Sequence, residues 1–477
     1  MLFNSLDFLI FFTIFFVLYW LFANKNIKHQ NLLLLFSSYV FYSFTDYRFL
    51  LYLVGVSLLN YVLGISIEKS SNYKKTLMYI GVIQGIAGLV FFKYFNFFID
   101  SFNNLFYTLN INVNLETLNI LIPLGISFFT FRTISYVLDV YNENIKATKD
   151  WLVFFNYVAF FPSILSGPID KSKLFVPQLE KNRIFNYKEA SSGIRQILWG
   201  LFKKVVVADN CLFFVNEIFD NNTDYSGATL LVGAIFFSFQ LYADFSGYSD
   251  MAIGVSRVLG FNISKNFDFP FFSQNIAEFW RKWHISLTSW LTEYVFTPLN
   301  FSLRKLGKTG LIISILINFT ICGIWHGANW TYIIFGFLHG CLFIPLILNE
   351  TLNKHNKLAQ KKNLPSFKEL VNMLSIFFTV TLTFIVFRSE NISHTLIYFS
   401  EIFSSSLFLV PETPSIKVIL FVSILILLEW YGRKDEYAIE KIFLAYKKSL
   451  RWFIYLVFVL LILYYAGEEK TFYYFQF

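Results

Sequence analysis

Leu311-Ile312-Ile313-Ser314-Ile315-Leu316-Ile317-Asn318-Phe319-Thr320-Ile321 leads through Cys322-Gly323-Ile324-Trp325-His326-Gly327-Ala328-Asn329-Trp330 into a second apolar run, Tyr332 to Leu348. Each run approaches the roughly 20 apolar residues that a helix needs to cross a bilayer, and one ionisable side chain stands between them. The pattern repeats along the chain as separate segments of roughly 15 to 23 mostly apolar residues. In hydrocarbon the backbone must satisfy its own hydrogen bonds, so such segments are read as helices.

Composition agrees. Of 477 residues, 56% are hydrophobic and 15% charged, with 62 Phe and 28 Tyr. One aqueous core cannot hide that much apolar side chain. The first segment, Leu6 to Phe22, lacks a basic region before it and a small-x-small cleavage site. It is read as a retained span that starts outside the cell. Cys211, Cys322 and Cys341 have neither metal-site spacing nor the count of a disulfide framework.

The net charge of +8 is gathered in short loops, so it speaks for membrane topology rather than nucleic acid. The basic loops are Lys25–Lys28, Lys69–Lys75, Lys146–Lys149, Lys171–Lys204, Arg281–Lys308, Lys354–Lys368 and Arg433–Arg451, whereas Asp100–Asn119 and Asp220–Asp224 contain no Lys or Arg. With the basic loops in the cytoplasm, the chain makes about eleven or twelve spans and both termini face outward. Two places break the walk. Trp151–Ser166 lies between basic loops and should re-enter or lie flat, and one of Thr395–Val410 and Ile416–Glu429 should fail to cross. Irregular backbone at membrane depth is tolerated against protein or a wet cavity, so these breaks predict an interior cavity.

Segments 1–110 read as lipid-facing scaffold, 120–345 as a polar-studded core and 350–477 as plain spans again, within one transmembrane domain. The core carries Asp139, Asp244, Asp250, Glu278, His284, His326 and His339. Ionisable groups in a membrane are costly, so their concentration marks a wet interior or a site.

His326 is expected to be neutral and able to accept a proton, with Gly323 and Gly327 allowing close approach of a substrate and Trp325 and Trp330 as walls. A packing histidine bound to a carbonyl is the plain alternative. No Ser or Cys nucleophile elbow stands beside it, which favours direct attack by the acceptor over a protein-bound acyl group. In Glu278-Phe279-Trp280-Arg281-Lys282-Trp283-His284, helical spacing would put residues 277, 280, 281 and 284 on one face. Arg281 and Lys282 suit an anionic, phosphate-bearing donor, or a topology signal equally well. In Tyr242-Ala243-Asp244-Phe245-Ser246-Gly247-Tyr248-Ser249-Asp250, Gly247 is expected to break a helix, and the carboxylates either bind a polar acceptor, fix a histidine tautomer or cap the kink. Pro123–Arg132 and Phe161–Ile169 interrupt apolar stretches with Pro and Gly, as a cavity lining or ordinary loops would. His339 falls in a different helical register from His326, and no metal site is assigned.

Pro123–Tyr141, Phe160–Pro168, Leu241–Gly254, Phe267–Pro298, Trp325–Gly340 and the closing Phe472-Tyr473-Tyr474-Phe475-Gln476-Phe477 together resemble the membrane-bound O-acyltransferase family. The likeness is to its bacterial branch of alginate and peptidoglycan O-acetyltransferases and teichoic acid D-alanyl transfer proteins. It implies an all-α ring of membrane helices around a central funnel or tunnel in the bacterial cytoplasmic membrane. It implies catalytic roles for His326, as base, and His284. Trp325, Asn329, Trp283, Arg281, Asp244, Tyr248 and Asp250 are then expected to bind substrate, and Lys282 the donor. Pro298-Leu299-Asn300-Phe301 departs from the Pro-Leu-Gly-Gly of polysaccharide-modifying relatives, which argues against alginate in particular.

The implied reaction moves an acyl group, acetyl from acetyl-CoA, to a hydroxyl of a cell-envelope or exported polysaccharide, or to a secreted esterase-like partner. No bound cofactor is implied. D-alanyl transfer from a carrier protein docked on Lys171–Lys204 is the alternative enzyme reading, and a multi-span transporter the alternative of another class.

Overall fold

A computed structural model describes residues 1–21, 26–44, 46–352, 364–467, 470 and 472. Among these all regular structure is helical, and the chain is an all-α polytopic membrane protein. Among the described residues, seven helices are long and apolar enough to span: Arg48–Lys69, Lys74–Thr108, Gly227–Val258, Arg304–His326, Trp330–Leu348, Phe367–Arg388 and Lys448–Tyr465. Several other apolar runs form shorter helices, such as Leu6–Leu21 with 16 residues and Ile416–Gly432 with 17. The sequence count is therefore larger than the number of long helices. The basic residue Lys25, residues 354–363 of the loop before Lys368, and 473–477 of the aromatic end lie outside the described residues.

The chain folds into two compact units, one of residues 1–190 with 256–264, the other of 191–255 with 265–476. In the first unit, the scaffold helices do more than face lipid. Ideal Cβ atoms on Gly64, Gly81 and Gly85 would lie 2.5 to 3.0 Å from side-chain atoms of Tyr136, Val137 and Ile134. Small residues thus let helix Ile126–Tyr141 pack closely, while Leu51 and Leu58 on the opposite side stay exposed. Trp151–Ala159 has only 9 residues, a rise of roughly 13 Å, so it cannot cross. Its C-terminal carbonyls, Tyr157 O and Val158 O, accept hydrogen bonds from the buried Arg132 guanidinium, which also donates to Ser163. A segment that does not cross is what the charge pattern called for, whether re-entrant or lying flat, and its irregular backbone is satisfied by protein. Asp139 accepts from Ser172 and Asn144, and Asp170 accepts from the backbone and hydroxyl of Ser264.

The second unit is organised on residues 227–255 of helix Gly227–Val258, which runs 32 residues without a break. Gly247 does not interrupt it. A Cβ there would meet the Gly200 carbonyl oxygen at 2.9 Å and the Lys204 nitrogen at 3.2 Å, and one on Gly254 would meet the Gly193 carbonyl at 2.6 Å. The glycines serve close helix packing rather than a kink. The opposing helix runs Tyr187–Leu201, then a π-helical turn Phe202–Ala208, then Asp209–Asp220. Lys203 and Lys204 therefore lie in a buried turn and not in a cytoplasmic loop. Between Phe367–Arg388 and Ile416–Gly432, helix Ile392–Ile402 has 11 residues, too few to cross.

Candidate active site

The two candidate catalytic histidines occupy different backbone settings in the second unit. His326 ends helix Gly307–His326 and is 4% exposed. Phe387 meets its ring at 5.3 Å, nearly perpendicular, and Cys322 Sγ lies 3.9 Å from Nε2, one turn back. His284 is not on a helix. Ile276–Lys282 stops two residues earlier, Trp283 is extended, and His284 has φ 46° and ψ 52°. The expected helical face of 277, 280, 281 and 284 therefore does not form. Arg281 is exposed, Trp280 turns to His339, and His284 is fully buried.

Trp325 joins the pair. Its ring centroid is 5.6 Å from that of His284 and 5.1 Å from that of His326. Phe245 meets His284 edge-to-face at 4.7 Å. His284 lies outside the spanning helices. Burial pushes its imidazole well below the ordinary histidine range, and nearby His326 adds a smaller push in the same direction. It is a neutral ring at physiological pH.

The glycine spaces beside His326 are taken by protein. A Cβ on Gly323 would strike the Tyr332 carbonyl at 2.2 Å, and one on Gly327 would strike the Tyr332 ring at 2.3 Å. They allow helix Trp330–Leu342 to fold tightly back, so the expectation that they admit substrate is corrected. Trp330 is half exposed. Asn329 caps the returning helix: its Oδ1 accepts from Thr331 N–H at 3.0 Å and its amide donates to Glu390 O at 2.6 Å.

His339 belongs to structure. The Trp280 indole can only donate, so His339 Nδ1 accepts its hydrogen at 3.1 Å and the proton sits on Nε2. Nε2 donates to Thr383 Oγ1 at 2.9 Å, and Thr383 donates onward to Val380 O at 2.7 Å.

The carboxylates expected to bind an acceptor or fix a histidine are in ion pairs with the neighbouring helix. Lys204 Nζ lies 2.7 Å from Asp244 and 2.9 Å from Asp209, and Lys203 Nζ lies 2.6 Å from Asp250 and 2.8 Å from Ser246 Oγ. Both lysines are buried, which removes them from any carrier-docking surface. Lys282 pairs with Glu278 at 2.8 Å. Trp283 stacks on Phe279, and Tyr248 packs against Phe472. Ser249, Asp250 and Asn266 line a small cleft together with Lys203 and Tyr242.

The residue the sequence reading missed is Asn266. Its Oδ1 lies 2.9 Å from His284 Nδ1 and accepts from Ser286 Oγ at 2.8 Å and Ser286 N–H at 3.3 Å. The only local signal was an amide in the short non-helical run Lys265-Asn266-Phe267, just before the stretch Phe267–Pro298.

Residues 143–387 match the model of the membrane-bound O-acyltransferase family. The chain is 36% identical over 398 residues to the "Probable alginate O-acetylase" of Pseudomonas aeruginosa, covering 82% of this chain and 73% of that protein. It is 33% identical over 402 residues to the peptidoglycan O-acetyltransferase of Helicobacter pylori, covering 78% and 73%. To the teichoic acid D-alanyltransferase of Streptococcus thermophilus it is 31% identical over 294 residues, covering 55% and 68%. His284, Trp325, His326 and Asn266 all fall inside the matched region. With its long apolar helices, the chain is a multipass protein of the bacterial cytoplasmic membrane, and it belongs to the membrane-bound O-acyltransferase family.

Proposed function

We propose that this protein transfers an acetyl group from acetyl-CoA to a hydroxyl of a cell-envelope or exported polysaccharide, directly or through a secreted esterase-like partner. The observation that carries the reading is a pair of buried histidines held against one tryptophan in a chain of this family. Relatives named for alginate and peptidoglycan O-acetylation supply the polymer class. In the proposed step His326 accepts the acceptor's hydroxyl proton while the oxygen attacks the thioester carbonyl. The carbon–sulfur bond breaks, and the departing thiolate takes the proton back from the imidazolium. His284 supports His326 in the proton balance of the step.

D-alanyl transfer is the second reading, favoured by the likeness to the teichoic acid enzyme. Burial of Lys203 and Lys204 takes from it part of the basic surface that would dock a carrier.

The test is turnover of radiolabelled acetyl-CoA by purified protein in nanodiscs, with and without envelope glycan. Glycan-dependent release of CoA is expected, falling roughly 10²- to 10⁴-fold in His326→Ala. Turnover with a D-alanyl carrier and none with acetyl-CoA would overturn the acetyl reading.

A further inference from the structure

We infer that Asn266 is a positioning residue for the reaction, holding His284 as a single tautomer with its proton on Nδ1 and its basic lone pair on Nε2. The inference deepens the acyl-transfer reading of the same site and rests on it for its kinetic consequence.

The assignment follows from donors and acceptors. A backbone N–H can only donate, so the contact from Ser286 N–H makes the oxygen of the Asn266 amide, not its nitrogen, the atom that faces this cluster. The Asn266 Nδ2 group accordingly donates the other way, to Ser249 Oγ at 3.0 Å. An amide oxygen accepts and cannot donate. His284 Nδ1, 2.9 Å from that oxygen, must therefore carry the hydrogen. In a neutral imidazole the lone pair is then on Nε2.

The same residue holds the backbone. Ile285 N–H donates to the Asn266 carbonyl at 2.8 Å, next to a histidine in the left-handed region, a conformation that non-glycine residues rarely adopt. Both ends of Asn266 thus clamp the strained position and aim its ring. Ser249 anchors the clamp on the buried helix Gly227–Val258.

His284 is the one histidine followed by isoleucine. Labelling histidine carbonyl carbon and isoleucine nitrogen therefore assigns its signals by solid-state NMR of the full-length protein in lipid bilayers without a mutation. The expected result is a protonated Nδ1 and an unprotonated Nε2. A protonated Nε2 in the unaltered protein overturns the inference, whatever donor the enzyme uses. Asn266→Leu should lose the single tautomer, while Asn266→Asp, which keeps the acceptor, should retain a proton on Nδ1. In the acetyl-CoA assay Asn266→Leu should lower kcat about 10- to 100-fold with KM little changed, and Asn266→Asp should recover most of the loss. An Asn266→Leu protein that folds and keeps the wild-type tautomer also overturns it. Absence of acetyl-CoA turnover alongside the expected tautomer would count against the proposed donor alone.

Discussion

Helices Gly227–Val258 and Lys448–Tyr465 are both apolar enough to cross a membrane, yet 78% of the most apolar stretch of the first is buried in protein and only 11% of the second. Hydropathy cannot separate them, because lipid and protein interior are equally dry solvents for a side chain. What separates them is shape and polarity. The first carries Gly233, Gly247 and Gly254 where neighbouring atoms come within van der Waals distance, and Asp244 and Asp250 paired with lysines. The second presents Leu, Val, Phe and Trp outward, with Leu463 65% exposed. Small residues and charges in an apolar run thus mark a helix that faces protein.

Four tests sharpen this contrast, each read as thermal unfolding of purified protein in nanodiscs. Lys204→Met removes the cation shared by two buried carboxylates and should cost about 3–5 kcal/mol; adding Asp244→Leu should recover part of the loss, and an unchanged double variant would break the account. Gly247→Leu forces a side chain into the Gly200 carbonyl and should cost about 1–3 kcal/mol. Trp280→Phe keeps a ring against Phe319 but removes the donor to His339, for a loss of about 1–2 kcal/mol. Leu463→Ala on the outward helix should stay within about 0.5 kcal/mol. A large loss there would mean that this face is covered.

The first unit carries the same lesson in a different form. Its charged residues Arg132, Asp139 and Asp170 satisfy the short segment at Trp151 and the segments around it. In the second unit, His284 and His326 share Trp325. A run of ionisable residues between 123 and 339 reads as one polar core in the sequence, but folding sorts it into backbone supports, ion pairs and a histidine pair. Asp244 and Asp250 looked like ligand-binding carboxylates because their lysine partners lie some forty residues earlier. His339 read only as one more ionisable residue of the core because Trp280 and Thr383, its partners, are remote in the chain.

Composition and local pattern alone determined the solvent, the helical class and that the segment at Trp151 does not cross, and they singled out His326 and His284 as candidates. Those properties depend on one stretch of chain against a bilayer, or on a motif that is contiguous. Only the tertiary structure decided that the chain leaves the helix at Trp283, that Gly247 packs rather than breaks, and that Asn266, not an aspartate, faces His284. Each of these is set by atoms brought within about 3 Å from distant positions, and hydrogen bonding at that range has no periodic signature in the sequence.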